Sequence, residues 1–575
     1  MINIKDVPSN TSKIRYSISS NTYKLVEDLK GFDKVEICVD SPCRIVSDGF
    51  SFKCKRILFR STHNIYIENI LFNCSLVFRN CGKCFINNVS ILEADNGSGG
   101  SIVITDSKVV IEKTIFRCPS MPALFIEDNS FAIARSIFCN GQQQSAIVIS
   151  TNSKFEMYDS NICNIAKNGI YSSDNCDILI KRCAFKSISF PSLFVNESTC
   201  RIEESEIRDI QQNGITISKS YSFCIINCYF ANIEASAVSV SSQSRGFIVS
   251  NTFHCIEGNS IYVNENSDLV IAHNFLQDSV FPGIAILQQC SAQIFHNDVG
   301  NVQKSGICSR GSINVSIDNN YLHNIAECGF SISDSCNTRI RNNRMTNIDL
   351  AAVESYNSSN AEFYYNDCDL RGKYGVMCYS GGSIKAKYNN FYNIELSLVS
   401  IRFKGKAKIA KNYVKNCPIQ FCGNTIQNFL LYDNGDFVSE TNSPELVQKY
   451  NSNLITCSEE VHEGLCIKCQ IKPRECFLKG CGHKIYCMEC GTKAFKNNEL
   501  CDLCRFPIEG ITPGFQSSAD EKCMICLENT ANSIIFPCGH MGFCSNCLSK
   551  WYNENENCPL CNLGPSSYKL IELNV

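Results

Sequence analysis

The sequence predicts an all-β chain in which about 15 short-stranded coils stack into a parallel β-helix, followed by two small zinc-stabilised modules. Three observations lead there. Apolar residues recur every 23 positions through the middle of the chain. Short alternating apolar stretches are separated by Asn and Gly, and no helical periodicity persists over the roughly 10–15 residues that a helical repeat needs. Near the C-terminus, two sets of eight Cys and His residues have identical internal spacing.

Composition sets the outer bounds. The 575 residues exceed one compact core, so the chain must hold several domains or a repeat array. Hydrophobic residues at 44% exclude a disordered chain, and charged residues at 19% fall below the usual quarter. From Cys457 onward there are 11 basic and 14 acidic residues, which leaves 42 of each (53 − 11 and 56 − 14) in the rest. Neither part is basic, so a nucleic-acid partner is not expected. No apolar run approaches about 18 residues and Met1–Pro8 has no signal-peptide core, so no membrane partner is expected either. Of the 39 cysteines, 23 are scattered through 1–440 without a pairing rhythm and 16 crowd into the remainder. The scattered ones read as small apolar fillers. That usage fits a reducing, cytoplasmic or nuclear setting.

Taken in order, residues 1–34 read as an N-terminal segment that covers the open end of the rod. Thr22–Lys30 is expected to be a short capping helix, with Asn21 or Ser20 before it, Gly31 after it, and Leu25, Val26 and Leu29 facing inward.

Residues 35–432 are expected to be the rod. One apolar column runs Phe230, Phe253, Leu276, Val299, Leu322, Met345, Cys368, Phe391 and Val414, each step 23. With slips of one it extends back through Ile207, Phe185, Ile162 and Phe138. Two residues before each anchor stand Asn251, Asn274, Asn297, Asn320, Asn343, Asn366, Asn389 and Asn412. A buried Asn can recur in a column because its amide can hydrogen-bond along the stack. Asn and Gly also suit tight corners, where left-handed backbone angles are needed. The aromatic positions, including Phe185, Phe230, Phe253 and Phe391, read as core. His273 and His296 should be stacked neighbours, and His254 and His323 should share another column; both pairs read as surface positions. No Asp-Asp pair or Gly-His-Gly occurs in the rod. These repeats resemble the right-handed parallel β-helix family built from pectate-lyase-like repeats, which implies a right-handed winding.

Residues 433–460 read as a linker, 461–510 and 518–575 as the two modules, the latter with a C-terminal tail, and 511–517 as the join between them. The first module holds Cys466, Cys469, Cys481, His483, Cys487, Cys490, Cys501 and Cys504. The second holds Cys523, Cys526, Cys538, His540, Cys544, Cys547, Cys558 and Cys561, every position offset by 57. A closed structural zinc site takes four such ligands, so each module should hold two ions and the chain four. About 40 residues make too small a core alone, so metal must supply much of the folding energy. Cys457 and Cys476 fall outside the pattern and are not expected to ligate.

This ligand order resembles the RING finger, and the Cys-Gly-His-x3-Cys phrase is similar to the subgroup found in inhibitor-of-apoptosis proteins. The resemblance implies interleaved sites. Cys466, Cys469, Cys487 and Cys490 would hold one ion and Cys481, His483, Cys501 and Cys504 the next; Cys523, Cys526, Cys544 and Cys547 a third, and Cys538, His540, Cys558 and Cys561 the fourth. It further implies a RING-type ubiquitin ligase with no covalent intermediate and no catalytic residue of its own. Its partners would be ubiquitin, a ubiquitin-conjugating enzyme docked on an apolar shelf, and a protein substrate on the β-helix. In the second module the shelf positions hold Ile525, Trp551 and Pro559; in the first they hold Lys468, Ala494 and Asp502. The position after the last ligand, which contacts ubiquitin in many RINGs, holds Arg505 in the first module and Asn562 in the second. Tails like Tyr568–Val575 build RING dimers in the related subgroup, so pairing of the two modules is a further expectation. Two alternatives stand beside the ligase: a non-catalytic zinc-binding scaffold, and a carbohydrate-active β-helix enzyme, which would require acidic residues grouped on one face of the rod.

Overall fold

Strands of three to five residues cannot satisfy their backbone groups within one coil, so each must bond to the same strand of the next. The computed structural model shows that arrangement. It describes residues 2–5, 14–17, 21–25, 28–39, 41–47, 49–94, 97, 99–418 and 429–432, then 466, 468–469, 472, 476–479, 484–497, 499, 508, 510–513, 523, 526, 533–535, 544–554 and 568–570. The chain divides into two units, Met1–Leu454 and Ile455–Val575. Among the described residues no helix is long and apolar enough to cross a membrane.

In the regular part of the first unit each coil contributes three strands, such as Thr252–Ile256, Ile261–Val263 and Asp268–Ala272. Each pairs in parallel with its counterpart one coil on: Phe253 with Leu276, Ile261 with Ile284, Ile271 with Ile294. The anchors Phe185, Phe230, Phe253 and Phe391 are fully buried, as expected of core. Phe230 and Phe253 stack with ring centroids 4.8 Å apart. The solenoid has about 17 turns rather than about 15. The early strands Leu29–Val39, Ser51–Arg60 and Leu71–Arg79 pair with register irregularities, which blurred the period there.

The asparagine column is a continuous buried ladder. Asn297 donates from its amide to Asn320 Oδ1 (2.9 Å) and to the Ile271 carbonyl (2.9 Å), and its own Oδ1 accepts from the Asn274 backbone N–H (3.0 Å) and amide (2.9 Å). The same pattern runs from Asn251 to Asn412. Corners take left-handed angles mostly at Asn, Asp and Ser, not at Gly. Gly283, Gly306 and Gly329 serve a different need: a Cβ there would sit 2.7–2.8 Å from Val299, Leu322 or Met345 side chains.

The N-terminal helix is not formed. Thr22–Leu25 is a strand that pairs in parallel with Cys43–Ser47 and antiparallel with Ile14–Ser17, and Leu29–Val39 is already a strand of the solenoid. An exposed parallel edge leaves backbone groups unpaired, which a strand satisfies and a helix does not. Leu25 still faces the core. Ile2–Lys5 pairs antiparallel with the far part of Leu29–Val39. At the other end the last described strand is Phe429–Tyr432, paired with Lys406–Ala410. The linker expected over 433–460 lies outside the described residues.

Replacing Asn297 by Leu would orphan the Asn274 N–H in the core and cut the Asn274 and Asn320 side chains off from each other, at a cost of about 2 kcal/mol. Hydrogen exchange should therefore accelerate in Asp268–Ala272 and Ser291–Phe295; unchanged protection would show that the ladder is not stabilising.

Candidate metal centres and rod surface

Among the described residues each C-terminal module is built from strands, one helix and thiols. In the first, Cys476–Lys479 pairs antiparallel with Lys484–Tyr486 and with Gly510–Pro513, and helix α1 (Met488–Lys496) follows. Glu489 in its first turn and Lys493 and Lys496 in its last complement the helix dipole. Cys487 is the N-cap, its sulfur accepting from the Cys490 N–H at 3.5 Å. The second module repeats the plan at the offset of 57, with helix α2 (Ser545–Glu554) and Ser533–Ile535 paired to Tyr568–Leu570. Even the register is copied: Cys476 faces Pro513 and Leu478 faces Ile511, as Ser533 faces Leu570 and Ile535 faces Tyr568. Residues 511–513, expected in the join, thus belong to the first module's sheet. The tail's 568–570 are likewise paired inside their own module.

The folding brings Cys466, Cys469, Cys487 and Cys490 together, and separately Cys523, Cys526, Cys544 and Cys547, all sulfurs of a set lying within 4.8 Å of one another. Cys469 and Cys487 sulfurs are 3.9 Å apart, as are those of Cys526 and Cys544. Tetrahedral zinc with bonds of about 2.3 Å separates its sulfurs by about 3.8 Å, so the donor sets fit that ion. Burial and the neighbouring thiols push Cys490 and Cys547 up to about 12, so it takes a cation to hold these groups as thiolates. Cys476 is no part of the set; it is buried, its thiol facing the Tyr486 carbonyl at 3.4 Å and packed against Gly491. The ligands expected for the other two ions (Cys481, His483, Cys501, Cys504, Cys538, His540, Cys558 and Cys561) lie outside the described residues, as do Ile525, Pro559, Arg505 and Asn562.

The two modules differ where a docking shelf is expected. Trp551, on α2 one turn past Cys547, is partly exposed above the fully buried Leu548. Its counterpart Ala494 is fully buried. Lys468, in the place of Ile525, is ion-paired with Glu499 and lies over the Tyr486 ring at 5.1 Å. The first module thus presents a charged pair instead of an apolar surface.

On the rod, His273 and His296 stack with centroids 5.0 Å apart. His254 and His323 lie in one column but are not brought together: His254 pairs with Asp278 at 2.7 Å and His323 with Asp298 at 2.9 Å. A groove of about 670 Å³ is lined by Asp209, Glu234, Cys255, Glu257 and Asp278 among others. Sequence reading missed it, because its acids come from four different coils. A second column of asparagines was also missed: Asn301, Asn324 and Asn347, 23 apart, form an exposed ladder at a left-handed corner.

Comparison with known proteins agrees with these two halves. The family described as zinc finger, C3HC4 type (RING finger) matches residues 462–511 and 519–565. The family described as right handed beta helix region matches 180–299 and 282–449. E3 ubiquitin-protein ligase NEURL3 of Rattus norvegicus is 39% identical over 49 residues, 8% of this chain and 19% of that protein. RING finger protein 141 of Homo sapiens is 42% identical over 48 residues, 8% of this chain and 20% of its own length. The matches thus span about a fifth of each relative. Among solved structures, a periplasmic alginate epimerase AlgG mutant covers 75% of this chain and 81% of its own at 12% identity, with a TM-score of 0.27. A bacteriophage HK620 tailspike covers 64% and 72% at 11% identity, with a TM-score of 0.24. At that level of superposition neither carries an argument.

Zinc counts should separate ligand from bystander. By elemental analysis Cys487→Ser should bind one zinc ion fewer per chain than the wild type, losing one of the four finger ions, whereas Cys476→Ser should match the wild type.

Proposed function

We propose that this chain, a right-handed β-helix protein bearing two C3HC4-type RING fingers with four structural zinc ions, is a RING-type ubiquitin-protein ligase. In this reading the second finger holds a ubiquitin-charged conjugating enzyme against Ile525, Trp551 and Pro559, and the rod recruits the protein substrate. The observation that carries it is Trp551: a partly exposed indole on a helix whose preceding turn is tied to a tetracysteine site. Large aromatic side chains held on rigid frames are the usual anchors of protein contacts.

The chemistry asks little of this chain beyond positioning. A substrate lysine amine attacks the thioester carbonyl; a C–N bond forms, the C–S bond breaks, and the conjugating enzyme's thiolate leaves. The amine's proton passes to solvent. No residue of the ligase becomes covalently attached, and zinc keeps the docking helix in place. Restraining the thioester lowers the entropic part of the barrier. The short matches to ligases in other organisms support the reading for the finger, and the buried Ala494 and ion-paired Lys468 favour a structural role for the first module.

The acidic groove is the one observation that favours a carbohydrate-active alternative. Two of its carboxylates are already engaged, Asp278 with His254 and Asp209 with the Asn232 amide. Polysaccharide cleavage by the purified full-length chain would establish that alternative; blank assays are expected.

Autoubiquitination by the full-length protein should proceed with at least one member of a panel of conjugating enzymes. Trp551→Ala should reduce it at least about tenfold, as loss of an interface anchor does, while Lys468→Ala should leave it within about twofold. Inactivity of the wild type across the panel, or indifference to Trp551→Ala, would overturn the assignment.

A further inference from the structure

We propose that His254, Cys255 and Asp278 form an additional metal site on the rod. It would take a zinc-like divalent cation and leave a coordination position open at the groove. Their donor atoms all lie within 4.8 Å of one another. Cys255 Sγ is 3.6 Å from His254 Nδ1, and that nitrogen is 2.7 Å from Asp278 Oδ2. Around tetrahedral zinc, with bonds of about 2.0–2.3 Å, donors sit about 3.3–3.8 Å apart. The sulfur is also 3.8 Å from His254 Nε2, so the thiol lies beside the ring face and the His254 side chain must turn to aim a nitrogen lone pair at a shared ion. The imidazole–carboxylate pair must open by under about 1 Å, which surface side chains can do by small torsions. Imidazole, thiolate and carboxylate together suit a borderline cation such as zinc rather than calcium or magnesium.

A second, independent observation comes from the corner column in which Cys255 stands. Asp209, Asn232, Cys255, Asp278, Asn301, Asn324 and Asn347 all take left-handed backbone angles, with φ between 52° and 60°. The other rungs are joined by amide hydrogen bonds: Asn232 to Asp209 (2.9 Å), Asn301 to Asp278 (3.1 Å), Asn324 to Asn301 (2.9 Å) and Asn347 to Asn324 (2.8 Å). A cysteine has no amide with which to continue that ladder, and it tolerates the left-handed angle less well than Asn or Asp. The ladder is interrupted at Cys255, as it is farther back at Ser187, and at Cys255 a histidine stands beside it in sequence and a carboxylate on the next coil. Cys255 is also the exposed thiol among the described cysteines, the others being buried or half-buried.

The surroundings favour a cation. Cys255 and Asp278 line the groove together with Asp209, Glu234 and Glu257, and a concave surface rich in carboxylates concentrates positive ions. Lys186 lies 3.9 Å from Asp209 at the edge of this group. Three protein donors with a fourth position facing a cavity is the arrangement of a zinc that exchanges ligands, unlike the closed tetracysteine sites.

Zinc bound per chain, measured by elemental analysis of the full-length protein after equilibration with zinc and desalting, should be five rather than four. Cys255→Ser and Asp278→Asn should each bring it to four. Serine already occupies the same corner at Ser187, with φ of 55°, so the fold should tolerate the change, and an unaltered circular dichroism spectrum checks that it does. Calorimetric titration of zinc into the four-zinc protein should show one further site that His254→Ala removes. Four ions in the wild type with no uptake on titration, or five in the Cys255→Ser variant, would overturn the proposal.

Discussion

Every coil of the rod depends on the coil beside it for its hydrogen bonds, and the buried asparagine ladder makes that dependence strict. Within the ladder, as at Asn297, the Asn oxygen accepts two bonds from the preceding rung while its amide serves the next rung and a carbonyl behind it. A residue of any other type in the column leaves orphaned groups in the core unless a shorter side chain takes over part of the work. Serine and cysteine do so toward the N-terminus, where Ser205 Oγ accepts from the Cys183 N–H and Ser160 Oγ from the Ile137 N–H. The 23-residue period therefore follows from an energetic requirement: insertions within a coil would move the asparagine off its partner.

The fingers rest on a different constraint. Cores this small are held by thiolates around metal, and the sequence between ligands is free to vary. The two copies show how that freedom was used. One fills the helix–sheet contact with Cys476 against Gly491, while the other places Ser533 and Leu548 at those positions. One buries Ala494 and pairs Lys468 with Glu499; the other leaves Trp551 accessible. Equal frames thus carry unequal surfaces.

Much of this was legible in the sequence because stacking forces like residues into register. The anchor and asparagine columns and the stacked histidines follow from spacing, whereas the grouping of the sulfurs into sets was what the RING resemblance implied. Local signals that competed with tertiary ones misled. Thr22–Lys30 carries acceptable helix boundaries, yet the open sheet edge at Cys43–Ser47 claims Thr22–Leu25 as a strand. Glycine was expected in general to suit corners, but at Gly283, Gly306 and Gly329 close approach of Val299, Leu322 and Met345 is what excludes a side chain. The groove at Cys255 was invisible because its residues carry no shared motif; only the winding of the chain collects them.

The strand that follows each finger's last patterned cysteine has a consequence for how such units can be cut and copied. Gly510–Pro513 and Tyr568–Leu570 lie beyond the metal-binding pattern, yet each closes its own sheet. What was duplicated was accordingly a whole domain with its trailing edge, not a cysteine motif alone. Fragments trimmed at Cys504 or Cys561 would shed a structural strand, so autonomous pieces need to retain the residues through 513 and 570.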